Sequence, residues 1–156
     1  MTTTSKRTAA PHHNITAEMV ERIRIECASL AVREFTVELS FPAPELMQNR
    51  REGRHWSYAH EAKVAQRQEA YLLARQSITQ SGFEARPDAR HRVEMVFCPP
   101  DNRRRDVSNL HAAMKAALDG IAEAMEIDDS AFTEHEQRMS AVHARGCVRV
   151  RVLALR

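Results

Sequence analysis

Between Phe35 and Phe41 the apolar side chains fall on every second residue, Phe-Thr-Val-Glu-Leu-Ser-Phe, which predicts a strand with one buried face. Pro42 and Pro44 then remove backbone donors and end it. A second alternation, carried by Val93, Met95 and Phe97, predicts a strand over 91–97 that Pro99 and Pro100 close. After Gly146 the run CVRVRVLAL sets Val148, Val150, Val152 and Ala154 on one face and Arg149, Arg151 and Leu153 on the other. Residues 132–142 read as a weaker, more polar strand.

Steps of three and four mark the helices. Met19, Val20, Ile23, Cys27, Leu30 and Ala31 share one face of a helix over 16–32, with Asn14 or Thr16 as its cap. A polar, alanine-rich helix over 57–80 carries Tyr58, Ala62, Ala65, Glu69, Leu72 or Leu73 and Gln76 on successive turns, and Gly82 stops it. Val107, Leu110, Met114, Ala117, Leu118, Ile121 and Met125 predict one continuous central helix. The order β-α-β-α-β-β then gives an α+β domain over 34–156, a mixed four-stranded sheet with helices packed against it. Residues 14–33 form an added N-terminal helix, and the polar, aperiodic stretch 1–13 reads as a disordered tail.

Composition narrows the classes. A chain of 156 residues holds one core without disulfides or a structural metal. Lysine and arginine number 23 against 21 acids, a formal charge of +2 and a pI near 8.6, so nucleic-acid binding must rest on local clusters. Cys27, Cys98 and Cys147 are widely spaced and odd in number, which argues against a disulfide framework and a zinc site and points to a reducing cytoplasm. His12 and His13 have no partners at ligand spacing. No secretory h-region and no apolar run of membrane length occurs, so a soluble protein with no membrane partner is expected.

Candidate chemistry concentrates in 99–132. Arg103, Arg104 and Arg105 arrive together, Asp106 follows directly, and Asp128 and Asp129 close the helical segment. Cations beside acids suit a phosphate substrate and a divalent metal. A second cluster, Asn49, Arg50, Arg51, Arg54, His55 and Trp56, interleaves basic residues with an aromatic. That composition fits a nucleic-acid backbone, and equally a tryptophan packed on the core. Arg149 and Arg151 fit either the solvated side of an edge strand or a DNA contact.

Taken together, residues 35–153 resemble the RusA family of Holliday junction resolvases. The resemblance rests on the strand ending in a proline-rich turn and on the Asn49 to Trp56 segment, similar to Asn-Arg-Arg and His-Trp elements of phage-type members. It rests further on Arg103-Arg104-Arg105-Asp106, Asn109-Leu110, Lys115, Asp119-Gly120 and Ile127-Asp128-Asp129. It implies a small homodimeric endonuclease of recombination and repair that nicks branched DNA, the four-way junction, using Mg²⁺ or alternatively Mn²⁺. It implies Asp106 and Asp129 as metal-binding catalytic acids with Asp128 beside them, and Lys115 as the catalytic cation. Arg103, Arg104, Arg105, Arg50, Arg51 and Arg54 become phosphate contacts that read no sequence. Asn109 would orient a carboxylate or cap the helix, with Ser108 and Asp119 in support.

The family usually reads Asp, any residue, Asp, Asn, whereas this chain reads Asp106-Val107-Ser108-Asn109. A serine hydroxyl is neutral and a weaker Mg²⁺ ligand than a carboxylate. A second reading therefore stands beside the first: a junction-binding protein with weakened or absent cleavage.

At about 100° per residue, Ser108, Ala112, Lys115 and Asp119 share one flank of the central helix. Lys115 can lean toward Asp106, or pair with Asp119 as an ordinary surface pair. An unbroken helix over 108–125 is roughly 25 Å long, and the few residues after it retrace only about 3.4 Å each. Asp129 then barely returns to Asp106 in one chain. Either the helix ends early or the partner subunit completes the site. Asp128 and Asp129 alternatively cap a turn, and the arginine run alternatively forms a solvated loop.

Overall fold

The computed structural model describes residues 34–51, 53 and 55–155, together with Glu18, Met19 and Arg22; for Arg50, Arg51 and Trp56 it describes the backbone alone. The chain divides into Met1–Ala31 and Val32–Arg156. The tail expected over 1–13 lies outside the described residues, as does the N-terminal helix apart from Glu18, Met19 and Arg22, which are helical.

The alternating segments form the strands expected of them: β1 (Glu34–Ser40), β2 (His91–Cys98), β3 (Phe132–Met139) and β4 (Cys147–Ala154). They make one mixed sheet in the order β1-β4-β2-β3, with β4 antiparallel to both neighbours and β3 parallel to β2. The fold is α+β. Val37 pairs with Val150, and Met95 pairs with Val150 from the other side, so the inward residues of three strands line up in rows. Phe35, Val37, Leu39, Val93, Met95, Phe97, Val148, Val150 and Val152 are buried against helical Leu110, Met114, Leu118, Ile121 and Met125. Each such side chain contributes about 1.5–3 kcal/mol relative to exposure. Cys98 and Cys147 face each other across β2 and β4 as buried free thiols, and burial pushes the Cys147 thiol up.

β4 is an inner strand, not the edge that its charged side suggested. Its open face carries Arg149 against Glu38 at 2.9 Å and Arg151 against Glu94 at 3.1 Å, with Glu34 also on Arg151. Cross-strand pairing uses up this basic stripe, which the strand pattern alone could not reveal.

The helix α1 (His60–Ser81) follows a 3₁₀ turn, Trp56–Ala59, and ends at Gly82, whose φ of 70° suits a residue without Cβ. Its buried residues are Gln66, Ala70 and Ala74, while Leu72 is 57% exposed. The expected residues were Tyr58, Ala62, Ala65, Glu69, Leu72 or Leu73 and Gln76; of these Ala62, Glu69 and Leu73 are half-buried and the others exposed, so the buried face is rotated from the sequence reading. Small residues decide this: α1 lies so close to the helix α3 (Lys115–Met125) that a Cβ on Gly120 would collide with the Arg67 carbonyl. Ser77 Oγ donates to the Thr36 carbonyl at 2.8 Å and Ser40 donates to Glu69, tying α1 to β1.

The central segment is two helices rather than one, α2 (Val107–Ala113) and α3, joined at Met114. Met114 sits at φ −89°, ψ 0°, and its N–H bonds three residues back to the His111 carbonyl at 2.9 Å. A tightened turn of this kind redirects the axis without proline or glycine. Its cause in packing is that Met114 and Leu110 are both driven fully into the core. Among the described residues no helix is long and apolar enough to cross a membrane.

Candidate functional site

The loop from Cys98 to α2 delivers the arginine run. Arg105 turns back into it, donating to the carbonyls of Asp101 and Arg103 at 3.0 Å, pairing with the Asp101 carboxylate at 2.8 Å, and stacking over Phe41. Its side chain is only 17% exposed, so this arginine shapes the loop. Arg103 is 85% exposed, with its Nε 3.6 Å from the Asp101 carboxylate, and Arg104 is exposed. The Arg103 amide and the Arg105 guanidinium hold the Asp101 carboxyl below its usual range. Arg50 and Arg51 lie in a single helical turn, Gln48–Arg51, with side chains outside the described residues, and Arg54 lies outside them entirely.

Asp106 is the N-cap of α2. Its Oδ1 accepts from the Ser108 amide at 2.8 Å, so of the two roles expected of Asn109, orienting a carboxylate or capping the helix, the cap belongs to Asp106. Arg104, Arg105, Asp106, Asn109 and Asn49 line a shallow cavity of about 220 Å³. This brings the first arginine cluster beside the second, asparagine-containing one.

Lys115, the first residue of α3, makes a tight polar cluster with two carboxylates. Its ammonium is 2.8 Å from Asp119 Oδ1 and 2.6 Å from Asp129 Oδ2. The two carboxylates, Asp119 first, push the Lys115 pKa up to about 12. Glu126 makes the return possible: it takes a left-handed conformation, φ 59° and ψ 38°, at the end of α3. Residues 126–129 then double back by up to about 14 Å, against a helix length of about 16 Å. The expected surface pair of Lys115 with Asp119 does form, and Asp129 joins it.

Asp129 opens a 3₁₀ turn, Asp129–Ala131, that Asp128 caps through the Ser130 amide at 2.9 Å. The Ser130 hydroxyl and amide hold the Asp128 carboxyl below its usual range. No hydrogen bond or ion pair among the described residues joins Asp129 to Asp106. Among those residues no group of three or more His, Cys, Asp or Glu side chains converges in a metal-binding arrangement.

A larger cavity, about 450 Å³, opens beside Lys115 and Asp119 and is lined also by Lys63, His111 and Leu46. Two residues that line it, Lys63 and His111, were missed in the sequence, as was Asp101 of the arginine loop. Asp101 lies four residues before Arg105, a spacing that could have flagged it; Lys63 carries no motif. His111 meets His135 only because the register of β3 brings it there.

No family model matches the chain. It is 32% identical over 110 residues to an "Uncharacterized protein" of Xylella fastidiosa (strain Temecula1 / ATCC 700964), the alignment covering 70% of each chain. The chain belongs to that protein's family.

Proposed function

We propose that this chain is a structure-selective endodeoxyribonuclease of the RusA type, a homodimer that nicks four-way DNA junctions. Lys115 carries the reading: its ammonium is fixed between carboxylates of α3 and of the turn before β3, a short distance along the chain from the arginine loop. With a pKa near 12 it stays cationic at neutral pH, so it would stabilise charge on the scissile phosphate rather than transfer a proton. Exposed Arg103 and Arg104 would hold neighbouring phosphates without reading sequence, as would Arg50, Arg51 and Arg54, while Arg105 holds the loop.

Oxygen donors of this kind suit Mg²⁺ or Mn²⁺. Asp106 and Asp129 each commit one carboxylate oxygen to a protein bond, and the second makes no hydrogen bond among the described residues. These two acids would hold the ion, with Asp128 and the Ser108 hydroxyl as adjoining donors in the chain. When bound, such an ion supplies an activated water and offsets phosphate charge. The test is a labelled four-way junction incubated with the protein and Mg²⁺. Paired nicks by the wild type, with Asp106→Asn binding the junction but not cutting it, support the assignment; cutting by that variant at near wild-type rate sinks it.

Ser108 in place of an acid, with Asp129 already paired to Lys115, favours a second reading: junction binding without cleavage. Salt-dependent binding with no product at any Mg²⁺ or Mn²⁺ concentration would establish that instead.

A further inference from the structure

His111 on α2 and His135 on β3 form a pair for which the nuclease reading has no use. Their rings meet edge to face, centroids 5.2 Å apart and planes at 81°, with His111 Nε2 at 3.4 Å from His135 Nδ1. On its far side, His135 Nε2 lies 3.1 Å from the Phe132 carbonyl oxygen. A carbonyl can only accept, so Nε2 carries the ring proton and neutral His135 presents a bare lone pair at Nδ1. An imidazole anchored on a backbone carbonyl through its other nitrogen is how proteins orient histidine metal ligands.

The separation points the same way. At 3.4 Å the contact is long for a hydrogen bond, whose usual N–H donor distance is about 2.9–3.0 Å. Two nitrogens held at roughly 2.0–2.1 Å from one tetrahedral ion, by contrast, lie about 3.3–3.4 Å apart. His135 is exposed and His111 half-buried, so the small ring rotations needed to aim both lone pairs at one point meet little obstruction.

We propose that His111 Nε2 and His135 Nδ1 bind a divalent transition-metal ion of the zinc, cobalt and nickel class, with water or an anion completing its coordination. Imidazole nitrogen selects that class over Mg²⁺, so this site is separate from the oxygen-donor site of the nuclease reading and shares no residue with it. On binding, the His111 ring proton passes from Nε2 to Nδ1 by exchange with water. Neutral imidazoles bind without net proton release. The charged groups around the cavity that His111 lines are Lys63 of α1 and Lys115 and Asp119 of α3. Asp129 also sits on Lys115, so among the described residues around that cavity two aspartates offset the two lysines.

Isothermal titration of the full chain with Zn²⁺ tests this, in a background where His12 and His13 are alanine so that tail binding does not contribute. The expected result is one saturable Zn²⁺ per chain that persists in excess Mg²⁺. His135→Ala, at an exposed position, and His111→Ala should each weaken it at least tenfold with an unchanged melting curve, and the exposed His143→Ala should leave it alone. The proton resonances of rings 111 and 135 should shift together as Zn²⁺ is added. Unchanged Zn²⁺ affinity in His135→Ala, or ring signals that do not move, overturns the proposal whatever the nicking assay shows.

Discussion

Lys115 Nζ lies 2.6 Å from Asp129 Oδ2, so the first residue of α3 is tied to the turn that follows its end. The pair is exposed, the lysine by 67%, so its coupling in a double-mutant cycle of Lys115→Met with Asp129→Asn should be about 0.2–1 kcal/mol. Because pairing raises the lysine pKa from 10.5 to about 12, the stabilisation is complete below pH 10.5 and is lost as pH rises through about 12. Thermal melts from neutral to alkaline pH check this: the wild type and Lys115→Met should converge only at the alkaline end. On the nuclease reading the same variant lowers the nicking rate about a hundredfold while junction binding holds.

Gly120 follows Asp119 in the chain, and its reason is packing. A Cβ there would meet the Arg67 carbonyl and crowd the Tyr71 amide, backbone that cannot move without parting α1 from α3. Gly120→Ala should therefore destabilise by about 1–3 kcal/mol despite the better helix propensity of alanine. A urea midpoint that rises in this variant would show that the two helices are not in contact at this point.

Much of this architecture is legible in the sequence because strand alternation is a two-residue signal that burial enforces directly. Val148, Val150 and Val152 had to face one way, and they do. The rotation of α1 was hidden, since its buried face is Gln66, Ala70 and Ala74 and only the partner glycine explains it. The break at Met114 was hidden too, because an apolar stripe runs through it without a helix breaker. At the site, the pairing of Lys115 with Asp119 follows from helical spacing, whereas Asp129 and the two histidines depend on where the chain turns and on strand register. Arg105 looked like its two neighbours and differs only through Asp101 and Phe41.

His91 sits in the core between Phe83 and Phe132, with neither ring nitrogen hydrogen-bonded. Burial, reinforced by Arg86, lowers its pKa from 6.5. Above pH 6.5 the ring is neutral in both the folded and unfolded states. As pH falls below 6.5 the unfolded chain takes up a proton that the folded one resists, so stability drops until the lowered folded value is passed. His91→Leu removes two unsatisfied polar atoms and should raise stability by about 1 kcal/mol at pH 7 and flatten the acid limb of the curve. Parallel acid limbs in the two proteins would assign that slope to other groups.

On the nuclease reading Asp106 serves two purposes that substitution can separate. As the N-cap of α2 it satisfies the Ser108 amide, and asparagine caps a helix about as well as aspartate. Asp106→Asn should therefore melt within a few tenths of a kcal/mol of the wild type, while Asp106→Ala should lose about 1 kcal/mol. The first variant keeps the cap and loses only the charge and one acceptor oxygen, so any loss of nicking in it belongs to the carboxylate and not to a frayed helix. If Asp106→Asn loses as much stability as Asp106→Ala, the side chain does not act through this cap. Nicking data from either variant would then report on folding as much as on chemistry.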